Sequence, residues 1–132
     1  MKFHVTSKWV DAHSSVSHCK NAEISLDTAL DGNEEAFNPA ELLLSALTAC
    51  MIKGIMRVTP LLDFKLNGIE VVINGVRQDV PPKMESIDYE IIIDTDENDD
   101  RLELLHKNVK KYGTVFNTVS AGTRLNGTLR RR

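Results

Sequence analysis

The sequence predicts an α+β fold with helices packed against an antiparallel sheet. Three observations predict it. Residues 38–58 form one long apolar stretch with a helix start signal before it and a proline after it. Two runs, Ile69 to Arg77 and Ser86 to Asp94, carry apolar residues at alternate positions around a proline-containing loop, which is a hairpin pattern. The order along the chain is strands, long helix, strands, helix, strand, without the regular alternation of a parallel sheet. With 132 residues, the expectation is one compact domain over residues 1–132.

Each element has a local reason. Phe3 to Val10 mixes aromatic and β-branched residues and reads as a strand. Val16 to Leu26 reads as a second strand, with Ile24 and Leu26 alternating against Glu23, Ser25 and Asp27. Asp31-Gly32-Asn33 reads as a turn or loop. Asn38 is a good helix N-cap, and Pro39 follows where its missing N–H does no harm. Glu41 stands in place for a capping box. The helix is expected to run to about Val58, with Pro60 stopping it. A helix with so few polar residues must be buried on most sides, by its own sheet or by a partner chain.

After the helix, Val71, Ile73, Ile91 and Ile93 supply the apolar positions of the hairpin, and Asp79 to Lys83 connects its strands. Asp96 to Asp100 opens a second helix, with acids at its start and Lys107, Lys110 and Lys111 near its end, complementing the helix dipole. Leu102, Leu105, His106 and Val109 form its apolar stripe, and Gly113 ends it. A short helix over Val115 to Ser120 and a last strand over Arg124 to Arg130 complete the chain.

Composition narrows the function classes. Hydrophobic residues are 42% and charged residues 27%, as in an ordinary soluble globular protein. The net charge of -3 gives no electrostatic footprint for nucleic acid, and Arg130-Arg131-Arg132 reads as a solvated end. Met1 to Val10 lacks the apolar region of a signal peptide. The apolar run Leu42 to Ile52 reads as too short to span a bilayer. Two cysteines, Cys19 and Cys50, make no disulfide framework, so a cytoplasmic location with free thiols is expected.

Cys50 is the leading candidate for chemistry, although a buried free cysteine is often only a small core residue. At about 100° per residue, Leu43, Leu47 and Gly54 share its helix face. Gly54 leaves space beside the sulfur, for a substrate or for close helix packing. The helix dipole fades before reaching Cys50, whereas Lys53 could lower its pKa by turning inward. Cys19 and His18 are strand neighbours pointing to opposite faces, and both read as solvated.

Other site types find little support. His4, His13, His18 and His106 show no metal-ligand spacing, so no metal is expected. Asp94 to Asp100 resembles a calcium loop, but Asp99 stands where glycine is needed and Leu105 where the bidentate glutamate belongs. There is no phosphate-binding glycine loop and no G-x-S-x-G elbow, and no cofactor is expected. Met51, Met56 and Met84 read as core filler.

The segment NPAELLLSALTAC, Asn38 to Cys50, resembles the central-helix motif of the OsmC/Ohr family, roughly (N/S)P-x-E-L-L-x-x-A-L-x-x-C. Trp9 in the first strand, the long helix, the hairpin, the second helix and the final strand are similar in layout. The resemblance implies an intertwined homodimer with two central helices between sheets built from both chains. It also implies a thiol peroxidase for organic hydroperoxides, tied to oxidative stress. In such enzymes the helix cysteine attacks as a thiolate and becomes a sulfenic acid. A second cysteine then pairs with it, a glutamate and an arginine organise the thiolate, and a dithiol restores the enzyme.

Cys50 matches the attacking cysteine. In Lys111-Tyr112-Gly113-Thr114-Val115, Gly113 stands where the second thiol belongs, so Gly113 and Thr114 are expected to line the site. Ala40 occupies the peroxidase glutamate's position, and Glu41 next to it faces away from Cys50. No arginine precedes Arg57, which lies roughly 10 Å along the helix axis from Cys50. The chain thus resembles a divergent member without the second cysteine. Three readings follow. One is a one-cysteine peroxidase acting on a small hydrophobic hydroperoxide through Cys50, recycled by an external thiol reductant. The second is a non-catalytic binding protein holding a small hydrophobic ligand around Cys50. The third is a stable dimer whose cysteine is merely core.

Overall fold

The computed structural model describes residues 1–132. The chain forms two compact units, Met1–Leu43 and Leu44–Arg132. The first holds three strands, β1 (Thr6–Trp9), β2 (Ser14–Cys19) and β3 (Ala22–Asp27), and the start of a long helix, α1 (Pro39–Val58). The second holds the rest of α1, then β4 (Gly68–Gln78), β5 (Lys83–Asp94), α2 (Asp99–Tyr112), α3 (Thr114–Ser120) and β6 (Arg124–Arg131).

The predicted α+β class holds, with two differences of detail. The strands make two three-stranded sheets, β1-β2-β3 and β4-β5-β6. All pairings are antiparallel except β5 with β6, which run parallel, Ser86 opposite Arg124 through Ile93 opposite Arg131. The cause is the intervening pair of helices, long enough to carry the chain back to the same end of β5.

Residues 16–26 are not one strand. They fold back at Lys20, whose φ of 58° is a left-handed turn conformation, and Cys19 pairs with Ala22. The two-residue turn Lys20-Asn21 carries no glycine or proline, only the weaker signal of asparagine. The strand read over Phe3 to Val10 shortens to Thr6–Trp9. Beyond β3, Asp27 anchors the loop. Its buried carboxylate accepts from the backbone N–H of Ala29 and of Asn33, each at 3.0 Å, and its own N–H donates to the Phe37 carbonyl at 2.8 Å.

The start of α1 follows the sequence closely. The Asn38 side chain accepts from the Glu41 N–H at 2.8 Å, and the Glu41 carboxylate accepts from the Asn38 N–H at 3.0 Å. That reciprocal box satisfies two otherwise orphaned donors. The helix ends at Val58. At 20 residues it is long and apolar enough to cross a membrane by length and composition alone, so the shorter run Leu42 to Ile52 understated it. Only one stripe of α1 is fully covered within the chain: Leu47, Met51, Ile55 and Val58, one turn apart.

The core of the second unit gathers that stripe from Met51 onward. It packs with Phe64, with Tyr89, Ile91 and Ile93 of β5, with Leu102, Leu105 and Val109 of α2, and with Phe116 of α3. Alternation along β5 puts Ile87, Tyr89, Ile91 and Ile93 on one face. Helix α2 begins at Asp99, three residues later than the acid run suggests, because Asn98 is the cap: its side chain accepts from the Arg101 N–H at 3.0 Å. Met51 is core, as expected, but Met56 is exposed and Met84 half-buried.

Candidate functional site

Cys50 lies past the middle of α1 and is a free, half-buried thiol packed against the core of the second unit. Two glycines shape its surroundings. Gly54, one turn further, abuts Val109 of α2: a β-carbon there would lie 3.9 Å from the Val109 backbone and side chain. Gly54 therefore faces α2, where a β-carbon would make only ordinary contact with Val109. Gly113, between α2 and α3, faces the sulfur itself. A β-carbon on Gly113 would lie 3.1 Å from Cys50 Sγ, 3.0 Å from the Phe116 β-carbon and 3.3 Å from the Val109 carbonyl oxygen.

Gly113 has φ −77° and ψ 116°, a conformation open to any residue. Backbone freedom is not why it is glycine. A side chain there would sit in tight contact with the thiol, the Phe116 β-carbon and the Val109 carbonyl. Thr114 follows as the exposed first residue of α3.

The expected organisers are elsewhere. Glu41 is engaged in capping α1. Lys53 and Arg57 have exposed side chains on the same helix, and Lys53 does not turn into the core. Cys19 lies on β2 in the first unit and is half-buried. Its neighbour His18 points to solvent and meets Glu23 across the hairpin at 2.8 Å. No three His, Cys, Asp or Glu side chains cluster as metal ligands would.

One polar pair lies within the core. The Tyr89 hydroxyl and His106 Nε2 are 2.7 Å apart, with their rings edge to face. Tyr89 also meets Phe116 edge to face at 6.1 Å, so the ring adjoins the residue that backs Gly113. Burial pushes the Tyr89 phenol up to about 12. Burial, aided by the Lys110 charge, pushes the His106 imidazole down to about 4. Both groups are neutral at pH 7, and Nε2 is the one acceptor within reach of the buried phenol O–H, so the tautomer that pairs this hydroxyl has the phenol donating and Nε2 accepting. The signal in the sequence was His106 itself, one polar residue on the apolar stripe of α2.

A model of the OsmC-like protein family matches residues 32–126, which contain Cys50, Gly113 and the whole second core. No curated protein matches the sequence. Among solved structures, an OsmC-like protein from Mycoplasma pneumoniae superposes with a TM-score of 0.91 at 18% identity, covering 99% of this chain and 97% of that one. An organic hydroperoxide resistance protein from Legionella pneumophila, also described as a predicted redox protein, gives 0.73 at 16% identity, with 97% of each chain covered. The organic hydroperoxide resistance protein OhrB of Bacillus subtilis gives 0.68 at 13% identity, with 98% of each covered. At these identities the superpositions establish a shared fold.

Proposed function

The chain belongs to the OsmC-like protein family, and from that premise we propose that it is a thiol peroxidase with one catalytic cysteine, Cys50, acting on small hydrophobic hydroperoxides. The Cys50 thiolate attacks one peroxide oxygen. The O–O bond breaks, an alcohol leaves with a proton, and the sulfur is oxidised by two electrons to the sulfenic acid. An external thiol then attacks that sulfur, water leaves, and a mixed disulfide forms. A second thiol equivalent releases Cys50 and carries away the disulfide.

The observation that carries this reading is Gly113 against Cys50 Sγ. The residue facing the sulfur has no thiol of its own, so recycling falls to a reductant from solution. Gly113, and Thr114 beside it, line the route by which that reductant's sulfur arrives. Two neighbours in fold are named for hydroperoxide resistance, which agrees with the substrate class.

The proposed unit of function is a cytoplasmic homodimer in which residues 1–132 act as one domain. Supporting this, the single chain leaves Trp9, Ile52, Met56 and Leu61 exposed, on the first strand, on α1 and just after it. The test is turnover: consumption of cumene hydroperoxide with dithiothreitol as reductant, by the protein and by Cys50→Ser. Consumption that requires Cys50 supports the proposal, and equal rates for the two proteins would overturn it.

A further inference from the structure

A groove of about 600 Å³ runs between α2 and β6, lined among others by Leu102, Glu103, His106 and Lys110 on the helix and by Gly127 and Leu129 on the strand. On β5 the Tyr89 ring lies opposite Gly127 of β6, where any β-carbon would come within 2.4 Å of the ring. Three elements thus cooperate to hold one hydrogen bond, Tyr89 hydroxyl to His106 Nε2. Its consequence lies on the other side of the imidazole. A neutral ring that accepts at Nε2 carries its proton on Nδ1, as a donor.

That donor has no partner within the chain, yet no side-chain nitrogen is buried without one. Nδ1 is therefore open to solvent on a ring that lines the groove. Lys110 follows one turn later on the same helix face, close enough for its charge to act on His106. It is exposed and takes part in none of the chain's ion pairs. The other cations of the groove are occupied: Arg130 bonds Glu90 at 3.1 Å, and Arg131 bonds Asp99 at 2.9 Å.

We propose that the groove between α2 and β6 binds a small monocarboxylate, one oxygen taking His106 Nδ1–H and the other the Lys110 ammonium. Two unpartnered donors one helical turn apart match the two oxygens of a carboxylate. Asp99 and Glu103 in the same lining oppose a more highly charged anion such as a phosphate dianion. Leu102 and Leu129 offer apolar surface to a short hydrocarbon tail. The site shares no residue with the Cys50 chemistry and does not depend on it.

The test is an NMR titration of the histidine ring signals of the full chain with sodium benzoate, at ionic strength held constant with chloride. The expected result is a saturable shift of the His106 ring that survives in Cys50→Ser. It should weaken about fivefold in Lys110→Ala, the scale of one solvent-facing charge contact. Lys110 is exposed, so that variant keeps its fold, verified by unchanged circular dichroism. As a second check, in His106→Phe the Gly127 amide should no longer shift with benzoate. A linear drift, a shift that chloride alone reproduces, or affinity unchanged in Lys110→Ala would overturn the proposal.

Discussion

A β-carbon on Gly113 would stand 3.1 Å from the Cys50 sulfur. In a disulfide, one sulfur lies about 3 Å from the other residue's β-carbon, as an S–S bond near 2.05 Å requires. The backbone at residue 113 is therefore already placed for a bridge that this chain lacks the atom to make. Gly113→Cys in a Cys19→Ser background is expected to form a disulfide between Cys50 and the introduced cysteine on mild peroxide treatment. Thiol titration should show both thiols lost and then regained with dithiothreitol. Two thiols persisting after peroxide would show that the two positions do not meet in solution.

Gly127 is glycine for a different reason, the Tyr89 ring 2.4 Å from where its β-carbon would be. Tyr89 is only 5% exposed and is held by His106 and Phe116, so it has little room to retreat. Gly127→Ala should cost about 2 kcal/mol in urea unfolding. In a Tyr89→Ser background most of that cost should vanish, because the obstructing ring is gone. An equal cost in both backgrounds would place the defect elsewhere.

His106 makes stability depend on pH. Its imidazole falls from the ordinary 6.5 to about 4 in the folded chain, chiefly through burial and secondarily through Lys110. Between those values the unfolded chain binds the extra proton, so the neutral ring's contribution is complete above pH 6.5 and is lost as pH falls through 4. Glu103, Lys110 and Arg130 line the groove with the ring, and of these Lys110 opposes its charged form. The loss from pH 7 to pH 4 should be about 2 kcal/mol, below the full linkage value because part of the ring meets water. Urea titrations of the protein and of His106→Gln at both pH values measure it. Equal pH dependence in the two would mean that carboxylates elsewhere account for the slope.

The helix motif, its N-cap and the family were legible because each rests on local signals: Asn38, Pro39, Glu41 and the spacing to Cys50. The boundary of α2 was read early because an acid run looks like a first turn whether or not it is inside the helix, and only the Asn98 side chain settles it. The β2–β3 turn was missed because Lys20 adopts a left-handed conformation without a glycine. At the site, the motif after α2 singled out Gly113, and its backbone lies against the Cys50 sulfur. Sequence could not find the Tyr89–His106 bond, which joins residues on a strand and a helix through packing alone.

The uncovered side of α1 and Trp9 carry the dimer expectation. Sedimentation at micromolar concentration should give a dimer, and dilution should unfold the chain without passing through a folded monomer. A folded monomer that persists on dilution would contradict the intertwined arrangement.

The most direct test of the central claim is the rate at which cumene hydroperoxide oxidises Cys50, followed by stopped flow with a sulfenic-acid trap and with Cys50→Ser as control. Trapping should be much faster than for a free thiol and abolished in the serine variant, with one trap per chain and no intrachain disulfide. Oxidation no faster than that of a free thiol would contradict that claim and leave Cys50 as a residue of the core.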